Sequence, residues 1–158
     1  MKATLGDDIE IRPFNEEDRY EVATLIRSIL TEFNLAYNQG GLTAELAKLT
    51  RRYTEDGAVF WVLLHDSKVA GIAGIRPHGE LAAQIEHFSL NKKLRGRGIG
   101  TKMLEFVEEQ AYKIGYRRLF VSCPRPMETG KKFLEKLDYR MVGNEQQEAV
   151  EDLFEKEL

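Results

Sequence analysis

The segment Arg95-Gly96-Arg97-Gly98-Ile99-Gly100 lies between an apolar strand candidate and an amphipathic helix, and it constrains the fold more than any other feature. Three alternating glycines permit positive φ and a close backbone approach. The helix that follows carries Ile99, Met103, Phe106, Val107, Gln110 and Ile114 on one stripe and stops at Gly115. A strand that runs through such a turn into a helix leaves the first N–H groups of the helix without intrahelical acceptors, at the positive end of its dipole. That end suits an anion, best a phosphate, and Arg95 and Arg97 add charged donors. The other reading of the same glycines is punctuation between two elements. Two familiar phosphate loops do not fit. No Gly-x-x-x-x-Gly-Lys-Ser/Thr spacing exists, and a Gly-x-Gly-x-x-Gly pattern begun at Gly96 would need glycine where Thr101 stands.

Periodicity orders the rest of the chain. Ile9-Glu10-Ile11-Arg12-Pro13 alternates and ends at proline, as a short strand does. Asn15 can cap a helix over 16–33, with Glu16, Glu17 and Asp18 at its positive end and Val22, Leu25, Ile26, Ile29, Leu30 and Phe33 at helical spacing. Gln39-Gly40-Gly41 breaks the chain, and Thr43 opens a second helix that reaches Tyr53. Val59 to Leu64 reads as a buried strand, Asp66-Ser67 as a hairpin turn, and Val69 to Ile75 as the returning strand. Gly71 and Gly74 in that strand allow a bulge or a close approach. Leu81 to Leu90 is a long strand candidate. After the glycine turn and its helix come a strand at Leu119-Phe120-Val121, a shorter helix through Phe133, Leu134 and Leu137, and strands at Tyr139 to Val142 and Ala149 to Leu158. Hairpins and a helix crossover coexist. This predicts an α/β (α+β) fold: a mixed, mostly antiparallel central sheet of about seven strands with about four helices on both faces. Residues 1–8 read as an N-terminal tail and 9–158 as a single domain.

Composition narrows the function classes. With 158 residues the chain has room for one domain with a sizeable core. Its 23 basic residues face 26 acidic ones, for a net charge of -3, so a bulk electrostatic grip on nucleic acid or an anionic membrane is not expected. Lys92, Lys93, Arg95 and Arg97 form a local basic patch, but no aromatic residue sits inside it for base stacking. The single cysteine, Cys123, excludes an intramolecular disulfide framework, and no His/Cys/Asp/Glu cluster has metal-ligand spacing. The longest apolar run, Ala58 to Leu64, is too short to span a bilayer, and the N-terminus turns acidic at Asp7-Asp8 before a signal peptide could form. A cytoplasmic setting is the default expectation.

Arg95-x-x-Gly98-x-Gly100, after a strand and at the opening of a helix, resembles the Arg/Gln-x-x-Gly-x-Gly/Ala motif of the GNAT superfamily of N-acetyltransferases, in its small-molecule type. Ile11-Arg12-Pro13 before an acidic helix start resembles the opening of that family. Phe60-Trp61-Val62 through Gly71-Ile72-Ala73-Gly74-Ile75 resembles its second and third strands, and Phe133-Leu134-Glu135-Lys136-Leu137-Asp138-Tyr139 its Tyr-Glu-Lys-Leu-Gly-Phe segment. The resemblance covers residues 9–158 in the expected order. It implies an acetyl-CoA site, acetyl-CoA being a co-substrate, in a V-shaped gap between the fourth and fifth strands of the family, here Leu81 to Leu90 and Leu119-Phe120-Val121. The pyrophosphate would lie on backbone N–H groups of Arg95, Gly96, Arg97, Gly98, Ile99, Gly100 and Thr101. The pantetheine would pair like an extra strand with the backbone of Phe88, Ser89 and Leu90.

Acetyl transfer to an amine needs a proton acceptor, donors for an oxyanion, and a thiolate that leaves. The resemblance places the family's acid/base groups at positions 84 and 86. Gln84 cannot usefully accept a proton, which leaves Glu86 as the expected general base, directly or through water. A salt-bridged strand carboxylate is the competing reading of Glu86. Strict alternation puts His87 on the opposite face from residues 84, 86 and 88, and a bulge would re-aim it. The family's usual tyrosine acid corresponds to Leu134, its asparagine to Met127 and its glycine to Asp138. Cys123 falls close to the thioester, with a buried structural role weighed against a catalytic one. Phe33, Tyr37 and Tyr53 are candidates to line an acceptor side.

The expected function is therefore an acetyl-CoA-dependent N-acetyltransferase acting directly on a primary amine of a small molecule or peptide. The alternative is an acyl-CoA sensor or catalytically degenerate module, motivated by Gln84, Leu134 and Met127. Neither nucleic acid nor membrane is an expected partner, and a homodimer is possible.

Overall fold

The computed structural model describes residues 2–6, 8–32, 51–124, 128–142 and 151–158. Among these, strands β1 (Ala3–Gly6), β2 (Ile9–Pro13), β3 (Val59–His65), β4 (Lys68–Pro77), β5 (Ala82–Leu90), β6 (Arg118–Pro124), β7 (Arg140–Val142) and β8 (Glu151–Glu157) build one sheet. Helices α1 (Arg19–Glu32), α2 (Ile99–Ile114) and α3 (Glu128–Lys136) accompany it. The strand order is β1-β2-β3-β4-β5-β6-β8-β7. Every neighbouring pair is antiparallel except β5–β6. That exception follows from the α2 crossover, since parallel neighbours need a long connection where antiparallel ones need only a turn.

The mixed α/β architecture is the one expected, with eight strands and three α-helices among the described residues. The extra strand comes from the stretch read as a tail: Ala3–Gly6 pairs with β2, placing Ala3 opposite Ile11. Asp8, at φ 60, makes that reversal possible, and a short acidic turn hides such a hairpin from a periodicity search. The second expected helix, from Thr43, falls mostly outside the described residues; Arg51 and Arg52 at its end are helical, and Tyr53 is in a turn.

Two cores flank the sheet. Val22 and Leu25 of α1 pack on Phe60, Val62 and Ile72 on one face. On the other, Ile99, Met103, Leu104, Phe106 and Val107 of α2 and Leu134 of α3 meet Trp61, Leu63, Ile75 and Ile85. Trp61 meets Phe106 edge-on, with ring centroids 5.7 Å apart, a contact contributing about 1 kcal/mol beyond simple burial. The α1 start is pinned by Asp18, which closes a capping box with Asn15 and accepts both Arg12 guanidinium nitrogens at 2.7 and 2.8 Å. Burial alone would raise the Asp18 pKa, but the Arg12 bonds and the Asn15 N–H outweigh it and hold the carboxyl below its ordinary value.

Candidate active site

β5 and β6 pair from Ala82–Arg118 to Ile85–Val121 and then part. Beyond that point β6 continues against β8, and β5 continues against β4 alone. Among the described residues, the edge of β5 from residue 86 to 90 facing β6 therefore carries no strand partner. The divergence opens a cleft of about 570 Å³, walled by Gln84, Glu86, His87, Ser122, Cys123 and Leu134 among others. Phe88, Ser89 and Leu90, expected to meet a pantetheine through their backbone, lie on this edge.

The glycine turn leads from the end of β5 to α2. Gly96 and Gly98 have φ of 76 and 77, and a Cβ built on either would meet nothing within 4 Å. Backbone conformation, not crowding, is what calls for glycine there. Gly98 is the N-cap of α2 and has no side chain to cap it. The first helical bond runs from Lys102 N to Gly98 O, so the N–H groups of Ile99, Gly100 and Thr101 precede the helical ladder. Buried Ile99 fixes this end of the helix in the core, and Gly100 stands 3.7 Å, measured from an ideal Cβ, from the Phe133 ring. Uncapped donors at a helix N-terminus suit an anion.

Arg95 is engaged within the protein. Its Nε donates to Leu90 O at 3.0 Å and its Nη1 pairs with Glu32 of α1. The backbone N–H of Arg95 donates to Lys92 O. Arg95 thus ties the turn to β5 and α1.

The side-chain chemistry gathers at a bulge. Ile72 faces Ser89 and Gly74 faces Glu86, so one residue of β4 opposes both His87 and Phe88. His87 sits at φ 56, a left-handed conformation that a non-glycine residue adopts only under local constraint. Strict alternation is broken here, and two expectations change. His87 is turned beside Glu86 rather than away from it. Phe88 leaves the face of residues 84 and 86 and packs toward the α2 side, 6.2 Å from Phe133.

Glu86 is 14% exposed and well partnered. Its Oε1 accepts from Arg52 at 2.8 Å and Arg76 at 3.4 Å, and its Oε2 from the Tyr53 hydroxyl at 3.3 Å. The same hydroxyl lies 3.1 Å from His87 Nδ1. Tyr53 stacks on Phe60 at 5.1 Å and passes over Gly74, where any Cβ would overlap its ring and hydroxyl. Burial, then the Glu86 charge and bond, push the Tyr53 pKa far above its ordinary value, so the hydroxyl keeps its proton at neutral pH. Arg52 and Arg76 were not singled out in the sequence, because nothing local marks residues 34 and 10 positions away as partners of Glu86.

The opposite wall is apolar and thiol-bearing. Leu134 is buried and lines the cleft, so the position matching the family's tyrosine is in place without its hydroxyl. Asp138 has φ 70, which explains why glycine suits that position; aspartate is among the residues that tolerate it. Burial pushes the Cys123 thiol up against the opposing pull of Lys131. Gln84 Nε2 donates to Ser122 Oγ at 3.4 Å across the parting strands. Phe33, Tyr37 and Met127 lie outside the described residues.

The family model for the acetyltransferase (GNAT) family matches residues 24–139. The chain belongs to the GNAT family. It is 25% identical over 116 residues to an uncharacterized N-acetyltransferase of Escherichia coli, YjgM, covering 70% of each protein. It is 28% identical over 111 residues to the N-acetylaspartate synthetase of Rattus norvegicus, covering 69% of this chain and 37% of that protein. Its fold is shared with the PaiA N-acetyltransferase of Thermoplasma acidophilum in complex with coenzyme A, at TM-score 0.76, 17% identity, and coverage of 95% and 99% of the two chains. Among the described residues no helix is long and apolar enough to cross a membrane.

Proposed function

We propose that this GNAT protein transfers an acetyl group from acetyl-CoA directly to a primary amine. The observation that supports the reading is the succession of groups along β5 and the turn after it. The uncapped α2 terminus would offer backbone donors to a pyrophosphate. The unpaired β5 edge would offer backbone groups to an extended pantetheine. Glu86 and His87, which line the cleft, would meet the amine. Side chains that cannot accept a proton would serve poorly there, since an alkylamine is protonated at pH 7.

The reaction balances with what the cleft offers. The ammonium gives one proton to the Glu86–His87 corner, from which it passes to solvent. The freed amine adds to the thioester carbonyl carbon, and backbone N–H groups of β5 are the donors available to the oxyanion. The C–S bond breaks, and the second proton of the amine nitrogen goes to the departing thiolate. A thiolate with a conjugate pKa of about 8.5 leaves without a strong acid, which fits Leu134 where a tyrosine would stand. The raised pKa of Cys123 disfavours an acetyl-cysteine intermediate and supports direct transfer.

Screening primary amines for thiol release from acetyl-CoA tests the proposal. Aspartate and glutamate head the panel because the rat relative is named for N-acetylaspartate and because Arg52 puts a guanidinium in the cleft wall. Polyamines, aminoglycosides and peptide N-termini follow. Thiol release with one amine supports the proposal. Tight CoA binding with no release on any amine would replace it with an acyl-CoA sensor, a reading that Leu134 favours.

A further inference from the structure

Opposite charges stand side by side on the cleft wall. Arg52 and Glu86 both line the cleft, and Arg52 Nη2 donates to Glu86 Oε1 at 2.8 Å. A guanidinium carries five N–H donors in a rigid fork, with two edges that each present a parallel pair. Nη2 supplies one hydrogen to each edge, so whichever hydrogen Glu86 takes, the other edge keeps its pair. Among the described residues no other acceptor meets this guanidinium, and its side chain is 44% exposed. An ion pair with one member so exposed contributes little to stability. Glu86 is held without it, by Arg76 at 3.4 Å and by the Tyr53 hydroxyl at 3.3 Å. Bracing Glu86 is therefore a poor account of Arg52, while a two-donor edge is what a carboxylate accepts. Among the described residues lining the cleft, Arg52 is also the one with a fixed positive charge. Glu86, for its part, has room for one more donor: Arg52, Arg76 and Tyr53 reach it, and a carboxylate has about four lone-pair sites.

We propose that the acceptor is a free α-amino acid, its carboxylate held by the Arg52 fork and its ammonium set against Glu86. Arg52 is then the residue that decides the acceptor class. This rests on the acetyl-transfer reading above. An α-amino acid carries its two opposite charges on one carbon, and the Arg52–Glu86 pair offers the two complementary charges in contact. Other amines match the pair less well. A peptide N-terminus brings the ammonium but has an amide where the carboxylate would be. A polyamine or an aminoglycoside brings further cations toward Arg52. The cleft of about 570 Å³ must also take the thioester arm, which favours a small acceptor. The step balances: the amino nitrogen bonds to the acetyl carbon and the C–S bond breaks. One ammonium proton leaves past Glu86 to solvent, and a second goes to the sulfur. The product amide has lost the charge that faced Glu86, so it keeps the Arg52 contact alone and leaves more readily than the substrate.

The test compares each protein L-amino acid with its own carboxamide, which keeps the amine and removes the carboxylate charge, by thiol release from acetyl-CoA. Polyamines and a short peptide complete the set. At least one free amino acid should be used with kcat/KM about a hundredfold or more above that of its amide. Arg52→Gln should then cut kcat/KM for the acid about a hundredfold, chiefly through KM, and for the amide no more than a few-fold. Arg52→Lys, which keeps the charge without the fork, should recover part of the loss. A structural role would not separate acid from amide, so equal losses on the two overturn the proposal. An amide used as well as its acid overturns it too. Turnover of a polyamine or the peptide with no free amino acid used sinks the proposal and leaves the acetyl-transfer reading standing. If no amine of any class is turned over, that reading falls and the acceptor assignment falls with it.

Discussion

The two halves of the proposed site are built in opposite ways. The turn from Arg95 to Gly100 is six consecutive residues, and the groups it would offer are backbone N–H donors beside two glycines at positive φ. The corner of Tyr53, Glu86 and His87 draws on residues more than thirty positions apart, and its working groups are side chains held by one another. The first is a device of local conformation. The second exists only once the sheet has formed and bulged. Backbone devices tolerate changes in the side chains around them but not in the glycines. Side-chain networks fail one member at a time, and in the catalytic step before the binding step.

That contrast sets the expected effects. Gly98→Glu forces a side chain and a charge onto a left-handed N-cap beside the anion site; affinity for CoA should fall at least a hundredfold, about 3 kcal/mol, with the circular dichroism spectrum retained. Normal binding by that variant would break the assignment of the turn. In the other half, Glu86→Gln should leave CoA affinity within twofold and cut kcat about tenfold, as removing a charge from a hydrogen-bonded network does. A kcat loss of about a hundredfold or more would make Glu86 itself the base.

Gly74→Ala comes next. It should displace Tyr53, and with it the hydroxyl that bonds Glu86, and lower kcat several-fold, with a lower melting temperature and unchanged CoA affinity. Unchanged kcat would show that Tyr53 need not sit where it does. The smallest effect is expected from Arg95→Ala. Its guanidinium braces the turn against Leu90 and Glu32, so CoA affinity should weaken only a few-fold. A loss as large as that of Gly98→Glu would mean that the guanidinium meets the phosphate directly.

The same contrast explains what could be read from the sequence. The α2 stripe, the capped start of α1, the β3–β4 hairpin and the strand–glycine–helix order all depend on neighbours within a few positions, and each is visible as a period or a turn. Residues 84 and 86 could be placed on one face by counting in twos. The bulge cannot be counted, because nothing at Glu86-His87-Phe88 distinguishes a regular strand from one with an extra residue, and it moved both His87 and Phe88. Arg52 and Arg76 are ordinary surface residues by sequence, and their pairing with Glu86 is a product of register. The β1 hairpin was hidden for a different reason: four residues and a turn at Asp8 give too short a pattern to separate from a tail.

The most direct measurement is a calorimetric titration of the purified protein with acetyl-CoA, run beside acetyl-pantetheine, which shares the thioester and lacks the pyrophosphate. Micromolar binding of acetyl-CoA with at least a hundredfold weaker binding of acetyl-pantetheine is the result expected if the Arg95–Gly100 turn holds the pyrophosphate. No binding of acetyl-CoA up to millimolar concentration, or equal binding of the two, would contradict it.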